Sequence, residues 1–365
     1  MIRFNDPIKS APIQHGGNLD TAIKKYGFDR DQWMDLSTGI SPWSWPVKTL
    51  PEKVWNTLPP PLNDLLAAAS EYYKIDSHQI MATPGSQLAI RLIPQLFKPS
   101  IVAVPRLGYQ EHAASWQLAQ HKVIQYQGME ELAHLLESRH VEHVVVINPN
   151  NPSGEAVTAD MILQIARKTP GMMIIDEAFI DLYENAPISQ KNAMTPRSAI
   201  EHLTDNMVVL RSVGKFFGLA GLRLGFAISY HPKIAQLNTL LEPWSMSHAS
   251  VVIGSQALID HSWQEKQYHR IQDQAQSFLP ILRKTLSNEL GNSPQTPYEI
   301  RSCGLFSTVL IDKPSGSDTL SKLHTKLAQH AIWTRLFNHG DETAWLRFSL
   351  PIDIHALEKR LLDMK

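Results

Sequence analysis

The chain has 365 residues, enough for a large domain and a smaller one, and its 34 basic residues almost balance its 35 acidic ones. It contains no long block of like charge, so we expect neither a nucleic-acid partner nor a membrane-surface partner. The single cysteine, Cys303, excludes an internal disulfide and favours a reducing cytoplasm. No apolar run approaches the ~20 residues of a membrane span, and the first residues lack the apolar core of a signal peptide. Its histidines show no zinc-like spacing, so we expect no metal.

The first part of the chain, residues 1–50, is rich in Pro and Trp and predicts an irregular arm. After the arm, short apolar runs alternate with helix-like segments. Continuous apolar runs of this kind are typical of strands that are buried on both faces of a helix-covered parallel sheet. The runs lie near Ile80 and at 101–104, 123–126, 144–147, 173–175, 207–210 and 224–228.

A helical pattern from about 255 to 289 predicts a long connector to a second, smaller domain. Strand-like runs at 304–311, 332–335 and 345–349 predict the sheet of that domain, with helices around 317–330 and 354–364. We therefore expect an α/β protein that is divided into an arm (1–50), a large domain (51–255), and a connecting helix with a small α+β domain (256–365).

The segment 209–226 combines the hydroxyl of Ser212, the amine of Lys215 and the guanidinium of Arg223 with several glycines. Glycines let the backbone approach a ligand closely, because they carry no Cβ. An amine that bonds covalently to an aldehyde, beside a hydroxyl and a fork-shaped cation, suits pyridoxal 5′-phosphate (PLP). The pattern Ser-x-x-Lys followed by Gly-x-Arg-x-Gly resembles the signature of the fold-type-I PLP enzymes, the aminotransferase family.

Two motifs upstream follow predicted strands in the order that this family shows. In Asn148-Pro-Asn-Asn-Pro-Ser-Gly154, the resemblance implies that Asn151 binds the phenolic oxygen of the PLP ring. In Met172-Met-Ile-Ile-Asp-Glu-Ala-Phe179, it implies that Asp176 pairs with the ring nitrogen, which makes the ring a better electron sink. Ligands bind at this carboxyl edge of open α/β sheets. Each motif alone would also fit an ordinary turn.

A turn that leads into a helix, at 83–90, predicts a phosphate site, because free N–H groups at a helix N-terminus bind phosphate. The predicted cradle consists of Gly85, Ser86 and Gln87, closed by Ser212 and Arg223. Tyr109 matches the family's aromatic residue that stacks on the ring, although a core aromatic is the alternative. The resemblance thus implies three catalytic residues: Lys215, Asp176 and Tyr109.

The resemblance covers essentially the whole chain and implies the fold-type-I architecture with PLP as cofactor. That architecture has a seven-stranded, mostly parallel sheet with helices on both faces, whose last strand is antiparallel, and a smaller α+β domain. It also implies a homodimer with the active site at the subunit interface. No Gly-x-Gly-x-x-Gly or Walker pattern follows an early strand, which disfavours a nucleotide-binding Rossmann enzyme.

The arm indicates a subgroup of the family. Gln14-His-Gly-Gly-Asn-Leu19 and the segment 33–42 resemble the opening of the threonine-phosphate decarboxylases of cobalamin biosynthesis, which are similar in fold to histidinol-phosphate aminotransferases. Candidate substrate-binding residues are therefore His15, Gly39, Asn151, Arg335 and Arg347. Arg347 matches the family's carboxylate-binding arginine, whose planar fork suits a carboxylate. Which anion each arginine binds stays open, and His15 has capping of the arm as its alternative role.

Two departures from the family pattern concern the ring and the neighbouring subunit. Phe179 stands where aminotransferases usually have a tyrosine that donates to the phenolic oxygen of PLP. Leu58-Pro-Pro-Pro-Leu62 lacks the tyrosine with which related aminotransferases reach the neighbouring subunit's cofactor phosphate. The residue that replaces this tyrosine is not identified by the sequence.

The resemblance implies a cytoplasmic decarboxylase that converts the small molecule L-threonine O-3-phosphate to (R)-1-amino-2-propanol O-2-phosphate. An aminotransferase that acts on histidinol phosphate or a related amino acid is the alternative, because one cofactor serves both reactions. A non-catalytic PLP-binding regulator is disfavoured, since such proteins carry a DNA-binding module before the arm and this chain is expected to start at the arm.

Overall fold

The computed structural model describes residues 13, 15–138, 140–191, 195–241, 243–291, 298–311, 316–338 and 344–364. Gln14, the first residue of the arm motif, and segment 1–12 of the predicted arm lie outside the described residues.

The strands of the described residues are β1 (Met34–Asp35), β2 (Ile80–Thr83), β3 (Ile101–Pro105), β4 (Lys122–Tyr126), β5 (His143–Ile147), β6 (Met173–Asp176), β7 (Met207–Ser212), β8 (Gly225–Ile228), β9 (Glu299–Ser302), β10 (Phe306–Ile311), β11 (Ile332–Trp333), β12 (Arg335–Asn338) and β13 (Ala344–Ser349). The α-helices are α1 (Leu19–Tyr26), α2 (Lys53–Asn56), α3 (Asn63–Tyr73), α4 (Ser86–Leu92), α5 (Glu111–Leu118), α6 (Gly128–Glu137), α7 (Ala159–Lys168), α8 (Asp181–Glu184), α9 (Pro232–Ala235), α10 (Leu237–Leu240), α11 (His248–Leu258), α12 (His261–Leu290), α13 (Gly316–Ala328) and α14 (Ile354–Leu362). Short 3₁₀ helices occur at Arg30–Gln32, Ser77–Gln79, Ile93–Leu96, Ile188–Gln190, Ala199–His202 and Ala220–Leu222.

The described residues form a central seven-stranded sheet with the strand order β2-β8-β7-β6-β5-β3-β4. Strand β8 is antiparallel to its neighbours β2 and β7, whereas the other adjacent strands pair in parallel. Each apolar run that the sequence analysis singled out forms one of these strands. The predicted fold class, including the antiparallel last strand, is confirmed.

Neighbouring residues of the central strands are buried on opposite faces of the sheet. On β5, Val144 and Val146 belong to one apolar cluster, whereas Val145 and Ile147 belong to another on the opposite face. Strands that are covered on both sides need apolar residues at every position, which explains the unbroken apolar runs. The polar residues that follow these runs therefore emerge together at the carboxyl edge of the sheet.

The predicted connector at about 255–289 is two helices rather than one. The first, α11, ends at Leu258, and α12 begins at His261. Asp260 caps α12, because its side chain accepts a hydrogen bond from the backbone N–H of Trp263 at 3.0 Å. An N-cap aspartate inside a helical pattern is the sequence signal for this break. Although α12 is 30 residues long, no helix of the described part of the chain is long and apolar enough to cross a membrane.

The arm contains more regular structure than predicted. Gly27 caps the C-terminus of helix α1, and its φ of 82° is the left-handed geometry typical of that position. Lys24 and Lys25 lie in the last turn of the helix, where positive charge is favoured. Strand β1 pairs in parallel with β11, with Met34 opposite Ile332. This pairing joins the arm to the unit that contains a four-stranded sheet of order β12-β13-β10-β9. Strand β9 of that sheet was not predicted from the sequence. The domain boundaries at 50 and 255 stay predictions.

Candidate active site

A cavity of about 140 Å³ lies at the carboxyl edge of the central sheet, beyond the ends of β2, β5, β6 and β7. Its lining includes every residue that we predicted to bind the cofactor: Gly85, Ser86, Gln87, Tyr109, Asn151, Asp176, Ser212, Lys215 and Arg223. These residues come from five separate segments of the chain, and the parallel strands bring them together because their carboxyl ends meet at one edge.

One end of the cavity is rich in N–H donors. Gly85 has a φ of +73°, and a Cβ there would lie 2.7 Å from Nη2 of Arg223, so the guanidinium occupies the space that a side chain would need. A Cβ at Gly225 would lie only 2.3 Å from the backbone nitrogen of Ser86, which shows how closely β8 approaches the start of α4. Together with the hydroxyl of Ser212, these groups form a concave, cationic site that suits a phosphate.

Lys215 lies just beyond β7, and the arm holds its backbone. Its carbonyl accepts hydrogen bonds from the N–H groups of Ser41 and Gly218, both at 3.1 Å. Desolvation, followed by the charge of Arg347, lowers the pKa of Lys215 to about 8, although Asp176 opposes this effect. A lowered pKa increases the fraction of neutral amine, which is the form that attacks a carbonyl carbon.

Asp176 is buried at the end of β6, and both of its oxygens are held. Oδ2 lies 3.0 Å from Nε2 of His112, and Oδ1 accepts from the backbone N–H of Ala178 at 3.1 Å. His112 is itself buried. The sequence analysis missed this histidine, although it lies in the same short segment as Tyr109 and in the first turn of α5. His112 orients the carboxylate toward the cavity, as an outer partner of a reacting group does.

A chain of hydrogen bonds forms one wall of the cavity. The hydroxyl of Tyr109 donates to Oε1 of Gln87 at 2.8 Å, and Nε2 of Gln87 donates to Oε2 of Glu111 at 3.0 Å. Oε1 of Glu111 lies 3.0 Å from Nε2 of His15. Burial raises the pKa of the Tyr109 hydroxyl further above its ordinary value, so the hydroxyl remains a donor well above neutral pH. Glu111 was not predicted as a site residue, and its place two residues after Tyr109 is the sequence signal that could have indicated it.

Arg347 is a buried cation on β13, and no carboxylate of the described residues forms an ion pair with it. Nη1 donates to Oδ1 of Asn151 and Nη2 to the carbonyl of Ser37, whereas Nε has no acceptor. Desolvation, followed by the charge of Arg335, lowers the pKa of Arg347 to about 10. A buried charge without an opposite charge is costly, so this position favours binding of an anion.

The other predicted substrate residues lie close to Arg347. Arg335 on β12 is its register partner across the sheet, and Nη1 of Arg335 donates to the carbonyl of His15 at 3.4 Å. Burial lowers the pKa of Arg335 as well. Gly39 has a φ of +70°, and its N–H donates to Oγ of Ser349 at 2.6 Å. The backbone N–H of this candidate substrate-binding residue is thus engaged by a side chain in this structure.

Comparison with known proteins identifies the family. Residues 51–359 match the model described as aminotransferase class I and II. The chain belongs to the aminotransferase class I and II family. It is 34% identical to the threonine-phosphate decarboxylase of Pseudomonas aeruginosa, over 97% of this chain and 98% of that protein. It is 32% identical to the threonine-phosphate decarboxylase of a Sinorhizobium species, again over 97% of this chain and 98% of that one.

A solved structure of another enzyme has the same fold. The histidinol-phosphate aminotransferase of Sinorhizobium meliloti, solved in complex with PLP, superimposes with a TM-score of 0.77 over 100% of this chain and 99% of that one. The two are 19% identical, so this likeness concerns the architecture. The cavity of our chain also fits PLP by its own chemistry, because it has a cationic phosphate end, a buried carboxylate and an amine with a lowered pKa.

Phe179 and the segment around Leu58 are the two places that the sequence analysis singled out as departures from the aminotransferase pattern. The Phe179 ring packs against Phe306 with a centroid distance of 5.1 Å, and Nζ of Lys215 lies 5.4 Å from its centroid. This position therefore offers an aromatic face and no hydroxyl. Leu58 is exposed in the single chain.

Proposed function

We propose that the chain is a PLP-dependent decarboxylase that converts L-threonine O-3-phosphate to (R)-1-amino-2-propanol O-2-phosphate and CO₂. The observation that carries the proposal is a pair of adjacent arginines, Arg347 and Arg335, of which Arg347 lies near enough to the amine of Lys215 to lower its pKa. A substrate with two anionic groups matches two adjacent cations, one of which is buried without a carboxylate partner among the described residues. Two relatives that are similar over nearly the whole chain carry the name of this activity.

The side chains of the cavity have distinct roles in this proposal. PLP, when bound, supplies the electron sink that allows the bond between the α-carbon and the carboxylate to break. Lys215 would anchor the cofactor and could return a proton to the α-carbon of the substrate. Asp176, oriented by His112, would keep a negative charge at the ring nitrogen. Tyr109 would stack on the ring, and Asn151 would contact the phenolic oxygen.

Binding of the substrate falls to the arginines and the arm. Arg347 and Arg335 bind the carboxylate and the phosphate, and His15 adds a third polar group on the same side. By holding these anions, the two arginines would orient the substrate so that the bond between its α-carbon and its carboxylate is the one that breaks. The phosphate end of the cofactor is held by Gly85, Ser86, Ser212 and Arg223, with Gln87 beside them.

We further propose a cytoplasmic homodimer with the active site at the interface, and the division into an arm (1–50), a large domain (51–255) and a small domain with its connector (256–365). Three large apolar side chains support the dimer because they are exposed in the single chain: Trp55, Leu58 and Trp244. A hydrogen bond of 3.1 Å between Thr57 and His248 ties the segments that carry them. Sedimentation at micromolar concentration is expected to give twice the chain mass.

A substrate panel tests the proposed reaction. L-threonine O-3-phosphate is expected to release CO₂ without any keto acid, and unphosphorylated threonine is expected to react far more slowly. Histidinol phosphate with 2-oxoglutarate tests the alternative. If amine is transferred from histidinol phosphate and no CO₂ appears from threonine phosphate, the chain is an aminotransferase and the decarboxylase proposal is wrong.

A further inference from the structure

Glu111 connects the N-terminal arm to the wall of the cavity. Its Oε1 lies 3.0 Å from Nε2 of His15, while its Oε2 accepts from Nε2 of Gln87 at 3.0 Å. The side chain of Glu111 is 15% exposed and that of His15 is 48% exposed, so the contact runs from the surface into the site. Because Gln87 in turn accepts from Tyr109, the arm is linked to the aromatic ring of the cofactor site.

The chemistry of the carboxylate determines how its neighbours are oriented. An ionised carboxylate accepts hydrogen bonds and donates none, so both His15 and Gln87 must present N–H groups to it. The amide of Gln87 is therefore held with its nitrogen toward Glu111 and its oxygen toward the hydroxyl of Tyr109. Rotating the amide by half a turn would place two acceptors face to face. The first turn of α5 also favours a negative side chain, through the helix dipole.

His15 is held at two different atoms. Its imidazole contacts Glu111, and its backbone carbonyl accepts from Arg335 at 3.4 Å. The imidazole ring also lies 6.2 Å from the ring of Tyr109. The arm is thus fixed between one of the two arginines and the aromatic residue of the cofactor site.

We propose that Glu111 is a positioning residue that docks the arm onto the active site. With one oxygen it holds His15 beside Arg335, and with the other it holds Gln87 and, through it, Tyr109. Docking of the arm therefore also fixes the orientation of the Tyr109 ring. The part of this inference that concerns the substrate rests on the proposed function.

Glu111→Gln removes the charge and keeps the shape of the side chain. A matched control is available in Glu71→Gln. Oε1 of Glu71 on α3 lies 3.1 Å from Nε2 of His261 at the start of α12, in an exposed pair away from the cavity lining. In Glu111→Gln we expect the KM for L-threonine O-3-phosphate to rise about tenfold while kcat stays within about threefold, as loss of a charge-assisted hydrogen bond to a binding group requires. Glu71→Gln is expected to leave both constants unchanged. If Glu111→Gln and Glu71→Gln have equal values of KM and of kcat, the proposal is overturned.

Docking of the arm is measured separately, in the PLP-loaded protein without substrate. Limited proteolysis is expected to cut around residues 15–18 several times faster in Glu111→Gln than in Glu71→Gln. His15→Gln, which changes a half-exposed side chain and leaves α5 intact, is expected to give the same faster cleavage. If Glu111→Gln fails to fold, this second variant decides. Cleavage at the unsubstituted rate in His15→Gln would contradict the docking role.

A double substitution separates positioning from two independent contacts. Because Glu111 and His15 act as one pair, the KM of the double variant is expected to match that of the worse single variant. If the increases in KM of the two single variants multiply in the double variant, the proposal is overturned. If the unsubstituted protein releases no CO₂ from threonine phosphate, the proposed function fails, whereas the proteolysis of the arm still decides the role of Glu111.

Discussion

Arg211 on β7 and Arg347 on β13 are buried to nearly the same extent, at 2% and 3% exposure, but their counter-charges differ. Arg211 donates to Asp181 through Nη2 and lies 3.4 Å from Glu177 through Nη1. Arg347 contacts a side-chain amide and a backbone carbonyl, and no carboxylate among the described residues. Burial alone therefore does not distinguish a structural arginine from a binding one.

The pKa values of the two guanidinium groups move in opposite directions. Desolvation by itself would lower the pKa of Arg211, but Asp181, with smaller contributions from Tyr73 and Glu177, raises it above the ordinary value. Desolvation and the charge of Arg335 lower the pKa of Arg347 to about 10. The charge of Arg211 is neutralised inside the fold, whereas Arg347 forms no ion pair with a carboxylate of the described residues.

Lys215→Ala is expected to have the largest effect on turnover, because the cavity has no second amine among its lining residues. We expect turnover to fall by at least about a thousandfold, as for removal of a nucleophile without a substitute. Borohydride reduction of the PLP-loaded protein should attach the cofactor mass to the peptide that contains Lys215. A label on a different lysine would contradict the assignment.

Arg211→Met is expected to act on stability. It leaves Asp181 and Glu177 buried without a cation, which costs about 3–5 kcal/mol of unfolding free energy. Urea denaturation measures the loss, and kcat per folded molecule should stay within about twofold, because Arg211 lies outside the cavity lining. A variant of normal stability would show that the two carboxylates are protonated or hydrated without the arginine.

Arg347→Met is expected to show the reverse pattern. The kcat/KM for threonine phosphate should fall by about a hundredfold, which corresponds to losing a buried charge partner of the substrate. The unfolding free energy should stay within about 1 kcal/mol, because relief of an uncompensated charge offsets the two lost hydrogen bonds. A large stability loss together with normal kcat/KM would make Arg347 structural, like Arg211.

The smallest effect concerns the pH dependence of Lys215 in the PLP-free protein. Its pKa of about 8 lies below the ordinary lysine value, so the amine gains reactivity toward an acylating reagent as the pH rises through 8. Arg347→Met removes a nearby cation, and the midpoint should therefore move upward. Arg211→Met serves as the control and should leave the midpoint in place. A midpoint that moves downward in Arg347→Met would contradict this electrostatic account.

The local sequence does not separate the two arginines. Arg211 follows Val208-Val-Leu210 and precedes a serine, and Arg347 follows Trp345-Leu346 and precedes Phe-Ser. Both fit a buried strand that ends near polar residues. Only the family resemblance pointed to Arg347, and no pattern in the sequence indicated that Arg211 meets carboxylates 30 and 34 residues upstream.

The sequence by itself determined the seven strands of the central sheet, because burial on both faces leaves a continuous apolar run at each one. Together with the family resemblance, it also singled out residues that line one cavity at the carboxyl edge of that sheet, and their binding of the cofactor stays a prediction. Tertiary structure alone decided the partners: Arg347 reaches Ser37 across 310 positions, and His112 reaches Asp176 across 64. Helix α1 and the link from His15 through Glu111 to Gln87 likewise came only from the fold. The reason is physical, because propensity and burial act over a few neighbouring residues, whereas counter-charge and hydrogen-bond partners depend on which distant segments are packed together.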